Sequence, residues 1–269
     1  MYPVIFKIGV FELHSWGVAF AVTFLTGIAV AVKRGSRFSV PRTIIFDLSV
    51  VIMISALIGS RLWYVVFHID EFKGNWLDVI NPFQDGYFGI AGMSMVGGVV
   101  FAIWASFVYA LLKKVDFVVL GDIIAPSFLL GAGMHRLGGC FLNGCCFGRP
   151  TDSWMGIVFP PEGVAGSYFP GVPLWPTQLF ASALGFIGFL LIIWLERWRK
   201  FPGYTLYVVF FYYSINRFIV DQFRYYEPQQ ILGTLGPLSF NVNHILLLGV
   251  IVWCIFFWFK GWRKQQNLI

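Results

Sequence analysis

The sequence predicts an all-α, polytopic membrane helix bundle of about seven transmembrane helices, N-terminus outside and C-terminus cytoplasmic, with a small extracytoplasmic cap. Three observations predict it. The chain has 269 residues, of which 58% are hydrophobic and only 12% charged, whereas a soluble domain carries about 25% charged residues. Several apolar runs reach the ~20 residues that a spanning helix needs. Lys and Arg gather in alternate connections between those runs, as they do on the cytoplasmic side of membrane proteins. Thirty Phe and eleven Trp suit a lipid-facing surface, and so few charges could not cover a soluble fold of this size. The net charge of +6 follows the loops instead of forming a patch, so nucleic acid is not an expected partner.

Taken in order, the residues from Met1 to Leu13 are not expected to form a cleaved signal, because a basic start is missing and the next apolar run ends at Lys33-Arg34. Helices are expected near 15–32, 44–67, 94–112, 117–135, 177–195, 203–223 and 243–260, since backbone polar groups in lipid must be paired within the segment. Twelve of the nineteen basic residues fall after the first, third, fifth and seventh runs: Lys33, Arg34, Arg37, Arg42, Lys113, Lys114, Arg197, Arg199, Lys200, Lys260, Arg263 and Lys264. That side is the cytoplasm, and opposite ends require an odd number of spans. The outer side then holds two long connections, about 68–92 and 143–176, rich in Gly, Pro and aromatics such as Trp76, Tyr87, Phe88, Trp154 and Trp175. These read either as an aromatic belt or as a cap over a cavity. The whole of 1–269 is expected to be one domain.

Charge inside a span costs roughly 2.5–3.5 kcal/mol on insertion scales, so Arg61, Arg136, Arg217 and Asp221 require a reason. Arg217 and Asp221 are spaced i, i+4 and can pair on one helix face. Beyond Asp221, only Asp122 offers a further carboxylate at membrane depth. Unmatched guanidinium groups there favour an external anion, and the planar fork suits phosphate. An anionic phospholipid headgroup is the anion at hand.

The stretch Gly131–Gly148 combines six glycines with His135, Arg136, Asn143, Cys145 and Cys146, and Arg149 follows it. It is expected to be a broken helix lining a polar cavity, the alternative being close helix packing through small residues. Cys140, Cys145 and Cys146 are spaced C-x4-C-C. A disulfide, a reactive thiol with a depressed pKa and plain packing all remain open for them, while a zinc site would prefer paired C-x2-4-C ligands. Cys254 reads as packing. No metal or cofactor is expected.

The chain resembles the prolipoprotein diacylglyceryl transferases over most of its length. The similarity rests on Pro3-Val4-Ile5-Phe6 with Ile8-Gly9, Leu13-His14-Ser15-Trp16-Gly17, Ile58-Gly59-Ser60-Arg61-Leu62 with Tyr64, and Gly92-Met93-Ser94 with Gly97-Gly98. It continues through Asp122-Ile123-Ile124-Ala125-Pro126, Gly131-Ala132-Gly133, Arg136-Leu137-Gly138, Asn143-Gly144 and Gly148-Arg149. It closes with Pro176-Thr177-Gln178-Leu179-Phe180 and Arg217-Phe218-Ile219-Val220-Asp221, then Phe223-Arg224.

The resemblance implies a multi-pass enzyme of the bacterial inner membrane. Such an enzyme moves the diacylglyceryl group of phosphatidylglycerol onto the lipobox cysteine of a prolipoprotein signal peptide. It places the functional arginines at Arg136 and Arg217, with Asp221 as acidic partner. Residues expected to bind the lipid are Arg61, Arg136, Asn143, Gly148, Arg149, Gln178 and Arg217. Those expected near the chemistry are Arg136, Arg217, Asp221, His14, His135, Cys145 and Cys146. Four positions depart from the family pattern: Trp16 stands for its tyrosine, Val96 for its histidine, Gly139 for an asparagine and Cys145 for a glutamate. The family's candidate base is therefore absent, and either His14 or His135 replaces it or the thiolate acceptor needs none. Two alternatives remain: a same-fold transferase using Cys145 or Cys146 on another acceptor, and a non-catalytic lipid-binding protein.

Overall fold

The computed structural model describes residues 2–8, 11–74, 76–81, 83–84, 87–88, 92–236 and 238–266. Gly9 and the side chains of Tyr87 and Phe88, singled out in the sequence, lie outside the described residues. All seven expected helices form: α1 (Ser15–Gly35), α2 (Arg42–Phe67), α3 (Met95–Lys113), α4 (Phe117–His135), α6 (Thr177–Leu195), α7 (Tyr204–Asp221) and α8 (Val242–Gln266). A short α5 (Val164–Tyr168) lies in the second long connection. Short strands fill the remainder: β1 (Val4–Ile8), β2 (Phe11–His14), β3 (Phe83–Gln84), β4 (Tyr87–Phe88), β5 (Ile157–Val158), β6 (Pro173–Leu174), β7 (Ile231–Leu235) and β8 (Leu238–Asn241). They pair only two by two and close no sheet among the described residues.

Six of the helices are long and apolar enough to cross a membrane. The exception is α7, whose 18 residues include four tyrosines, Arg217 and Asp221. That polarity marks the helix on which chemistry is concentrated.

The described chain divides into two compact units, one of residues 1–5, 14–30 and 121–269, the other of residues 6–13 and 31–120. In the second unit, α2 and α3 cross where side chains are missing. A Cβ on Gly97 would lie 2.4 Å from the Gly59 carbonyl oxygen and 2.2 Å from the Trp63 Cβ, so only glycine permits the approach.

In the first unit, α4 and α6 meet in the same way, since a Cβ on Gly185 would fall 2.7 Å from the Gly133 nitrogen. Ser182 Oγ donates to the Gly133 carbonyl at 2.8 Å across that crossing. Ala125, Leu129, Ile192 and Val209 form the core joining α4, α6 and α7. Asp122 is fully buried and accepts from the backbone N–H groups of Gly203 (2.8 Å) and Leu206 (2.9 Å). Those N–H groups start α7 and have no partner within their own helix. Asp122 therefore caps α7 and also feels the charge of Arg199. The second long connection has its own core of Phe147, Phe159, Ala165 and Leu174, which fits a folded cap better than a mere belt.

Gly131–Gly148 departs from expectation in one respect. The helix does not break at its glycines, because Gly133 serves the α6 crossing. It runs on to His135 and then widens into a π turn over Arg136–Phe141.

Candidate active site

The site grows from that π turn. Widening a helix by one residue re-aims the side chains beyond it, and such turns recur at functional positions. Asn143 closes the turn: its Nδ2 donates to the Gly139 carbonyl at 2.7 Å and to Ser15 Oγ at 2.9 Å. Gly144 and Cys146 then both take positive φ, +67° and +60°. For cysteine that conformation costs about 1 kcal/mol and reverses the chain sharply. The reversal is pinned from the first turn of α6. Thr177 Oγ1 donates to the Cys146 carbonyl at 2.7 Å, and Gln178 Nε2 donates to the Cys145 carbonyl at 2.8 Å. The Cys145 N–H donates to the Cys140 carbonyl at 3.1 Å.

These constraints bring three thiols together. The sulfurs of Cys140, Cys145 and Cys146 all lie within 4.8 Å of one another and are unbridged. Arg136 Nη1 donates to Cys140 Sγ at 3.6 Å. The Cys146 thiol is pushed well below its ordinary range, first by hydrogen bonds from Cys140 and Cys145 and then by the charges of Arg224 and Arg136. The Cys145 thiol is pushed up by its hydrogen bonds to the same two sulfurs.

Arg136 interacts electrostatically with Cys140, Cys146 and Tyr213, and no carboxylate is among its partners in the described residues. Arg217 differs. Its Nη2 lies 3.1 Å from Asp221 Oδ1 and donates to Tyr226 Oη at 3.3 Å. Asp221 has no exposed side-chain surface, and its other oxygen faces His244 Nε2 at 3.7 Å. His244 Nδ1 accepts from the Asn241 N–H at 3.2 Å, so the neutral ring carries its proton on Nε2, toward the carboxylate. Burial, ahead of the Asp221 charge, raises the Tyr226 phenol, which stays protonated as a donor.

The two arginines share surroundings. Tyr213 and Arg217 are i, i+4 on α7 and so share a face, and Tyr213 interacts with Arg136. Arg224 connects them further, interacting with Cys146 and standing 5.3 Å from the Tyr226 ring centroid. Among the described residues, Arg224 thus links the surroundings of Arg136 to those of Arg217, which pairs with the buried Asp221. Of the residues expected from the sequence, Arg136, Asn143, Cys145, Cys146 and Gln178 gather around the turn, and Arg217 pairs with Asp221 on α7.

Others are placed differently. His135 packs edge-on against Trp16, ring centroids 5.1 Å apart, with Nδ1 buried and without a hydrogen-bond partner. His14 is exposed at the end of β2. Arg149 is exposed, its N–H donating to the Phe223 carbonyl at 2.9 Å. Gly148 acts by shape, since a Cβ there would lie 2.4 Å from the Trp175 carbonyl oxygen and 2.8 Å from that of Phe223. Arg61 belongs to the second unit and is 8% exposed. It donates to the carbonyls of Val79 (2.8 Å), Gly92 (3.1 Å) and Asp78 (2.6 Å), so it clasps the first long connection onto α2.

Sequence reasoning did not place Arg224, Tyr226 or His244 in the site. Arg224 follows Asp221 by one turn and entered only as part of the resemblance, with no role. His244 lies in a spanning helix, where an ionisable group itself signals function.

The prolipoprotein diacylglyceryl transferase family model matches residues 3–260 of this chain. The chain is similar to the phosphatidylglycerol–prolipoprotein diacylglyceryl transferase of Fusobacterium nucleatum, at 30% identity over 98% of this chain and 99% of that protein. It is similar to one of the enzymes of that name from Clostridium perfringens, at 30% identity over 91% of each. It is also similar to the Geobacter sulfurreducens enzyme, at 32% identity over 88% of this chain and 87% of that one.

Proposed function

We propose a reaction from one premise: this chain belongs to the prolipoprotein diacylglyceryl transferase family. The chain is a membrane transferase that takes the diacylglyceryl group of phosphatidylglycerol and passes it to the cysteine thiol of a prolipoprotein. It works as a single domain in the bacterial inner membrane, N-terminus outside, with α7 as the seventh span. It meets the lipobox of the signal peptide at the outer face.

In the transfer, the acceptor thiolate attacks the glyceryl carbon that bears the phosphate oxygen. A C–S bond forms, the C–O bond breaks, and the electron pair leaves with glycerol phosphate. The protein's task is to hold the phosphate and to stabilise the charge gathering on the leaving oxygen. Arg136 and Arg217 do this, Asp221 orients Arg217, and Arg224 adds to the positive field. The thiol proton goes to solvent, since the thiolate once formed is already a strong nucleophile.

One observation carries the reading: the interactions of Arg136 are with thiols and a phenol, and no described carboxylate neutralises it. Transfer from labelled phosphatidylglycerol to a lipobox peptide tests it. Arg136→Ala and Arg217→Ala should each lower turnover by about 100-fold or more, as removal of one charge-stabilising donor does. Full activity in both variants would sink the mechanism.

A further inference from the structure

The triad of thiols at the end of α4 has no part in that transfer. Cys140 is buried on the π turn, and Cys145 and Cys146 are half-buried beyond it. Their sulfurs are within 4.8 Å of one another. Thiolates about 2.3 Å from a tetrahedral zinc-class ion sit roughly 3.8 Å apart, so the cluster needs to contract by less than about 1 Å.

The arrangement is built. Thr177 and Gln178, each under 3% exposed, hold the carbonyls of Cys146 and Cys145. The Cys145 N–H is tied to the Cys140 carbonyl, and the left-handed backbone of Cys146 turns the chain back on itself. A packing role for three cysteines would need none of these devices.

We propose that Cys140, Cys145 and Cys146 form a three-thiolate binding site for a soft d10 metal ion of the copper(I), zinc(II) and cadmium(II) class. Soft thiolates select such ions. Binding of a divalent ion displaces to solvent whatever protons the three thiols still carry, forms three metal–sulfur bonds and changes no oxidation state. The product, a divalent ion with three thiolates, carries one net negative charge. Arg136, 3.6 Å from Cys140 Sγ, and Arg224, beside Cys146, offset it. Three protein ligands leave a coordination position open.

The experiment titrates the full-length protein, in detergent and fully reduced, with Cd2+. One equivalent should develop the ultraviolet sulfur-to-cadmium charge-transfer band of three thiolates. Cys140→Ser, Cys145→Ser and Cys146→Ser should each weaken binding at least 10-fold, while Cys254→Ser leaves it unchanged. Absence of a stoichiometric band, or a band undiminished in the three variants, overturns the proposal. A second measurement guards against variants that fail to fold. One equivalent of Cd2+ should slow maleimide labelling of Cys145 and Cys146 in the unaltered protein at least 10-fold, and equal labelling with and without Cd2+ overturns the site. Neither readout depends on lipid transfer.

Discussion

The imidazole of His135 stands where a side chain on Gly139 would begin: a Cβ built there lies 2.7 Å from His135 Cε1 and 3.0 Å from Nδ1. The two residues are one helical turn apart, and the ring can fold back onto the π turn only because the fourth residue on is glycine. Trp16 closes the other side of the ring. Gly139 and Trp16 thus bound one imidazole from two sides.

Gly139→Ala should therefore force the ring out or the turn apart. Overfilling a packed site of this kind costs about 1–3 kcal/mol. The expected outcome is a lower thermal midpoint in detergent. His135→Ala should restore the midpoint of the Gly139→Ala protein relative to Gly139→Ala alone. A Gly139→Ala midpoint equal to that of the unaltered protein would show the packing there to be soft.

Arg136 and Arg217 should separate in stability although both variants lose activity. Removing Arg217 leaves the fully buried Asp221 facing His244 and Tyr226 without its guanidinium, and breaking a buried pair from one side costs about 3–5 kcal/mol. Arg136 has no carboxylate to abandon. Comparison of thermal midpoints for Arg136→Ala and Arg217→Ala should show the larger fall for Arg217→Ala. The reverse order would mean that Arg136 has the structural role.

How much of this is legible in the sequence follows element by element. The apolar run at 44–67 becomes α2 over Arg42–Phe67, and the run at 177–195 becomes α6 over Thr177–Leu195. In lipid, apolar length and backbone satisfaction leave helix as the only solution, so these elements read directly. The i, i+4 spacing of Arg217 and Asp221 is likewise enough for their pairing. The π turn is not legible, because Arg136–Phe141 has no local signature that separates a widened turn from a broken one. Arg61 misleads for a related reason. Depth in a span reveals that a guanidinium needs acceptors, but three backbone carbonyls from residues 17 to 31 positions away satisfy it, and no local pattern announces them. His244 faces Asp221 from a helix that begins 21 residues later in the chain, which again only the packing reveals.

Cys146 and Cys145 should react very differently despite being neighbours. Cys146 is pushed down by hydrogen bonds from Cys140 and Cys145 and by nearby arginine charge, and Cys145 is pushed up. The thiolate is the reactive form. Cys146 should thus be alkylated by iodoacetamide faster than Cys145 at neutral pH. By linkage, the depressed group stabilises the fold fully above the unfolded thiol's range. That contribution fades as pH falls through the folded value. Peptide mass spectrometry after timed labelling should show at least about tenfold preference for Cys146 at pH 7; equal rates would contradict the arrangement of the thiols.

Arg61 supplies the last test, because it ties three carbonyls of the first long connection to α2. Val79, Asp78 and Gly92 each lose a donor in Arg61→Ala, and a buried carbonyl left unpaired costs about 1–3 kcal/mol. The guanidinium also lies 5.1 Å from the Phe72 ring centroid, so the same substitution removes a cation–π attraction. Arg61→Lys should rescue little, since an ammonium is a point charge and cannot span three carbonyls with a rigid fork. Hydrogen exchange in residues 76–81 should accelerate in both variants, by more in the alanine one, while exchange in α6 stays unchanged. If Arg61→Ala instead left that segment as protected as before and only weakened phosphatidylglycerol binding, the residue would belong to the lipid site that its depth in the span first implied.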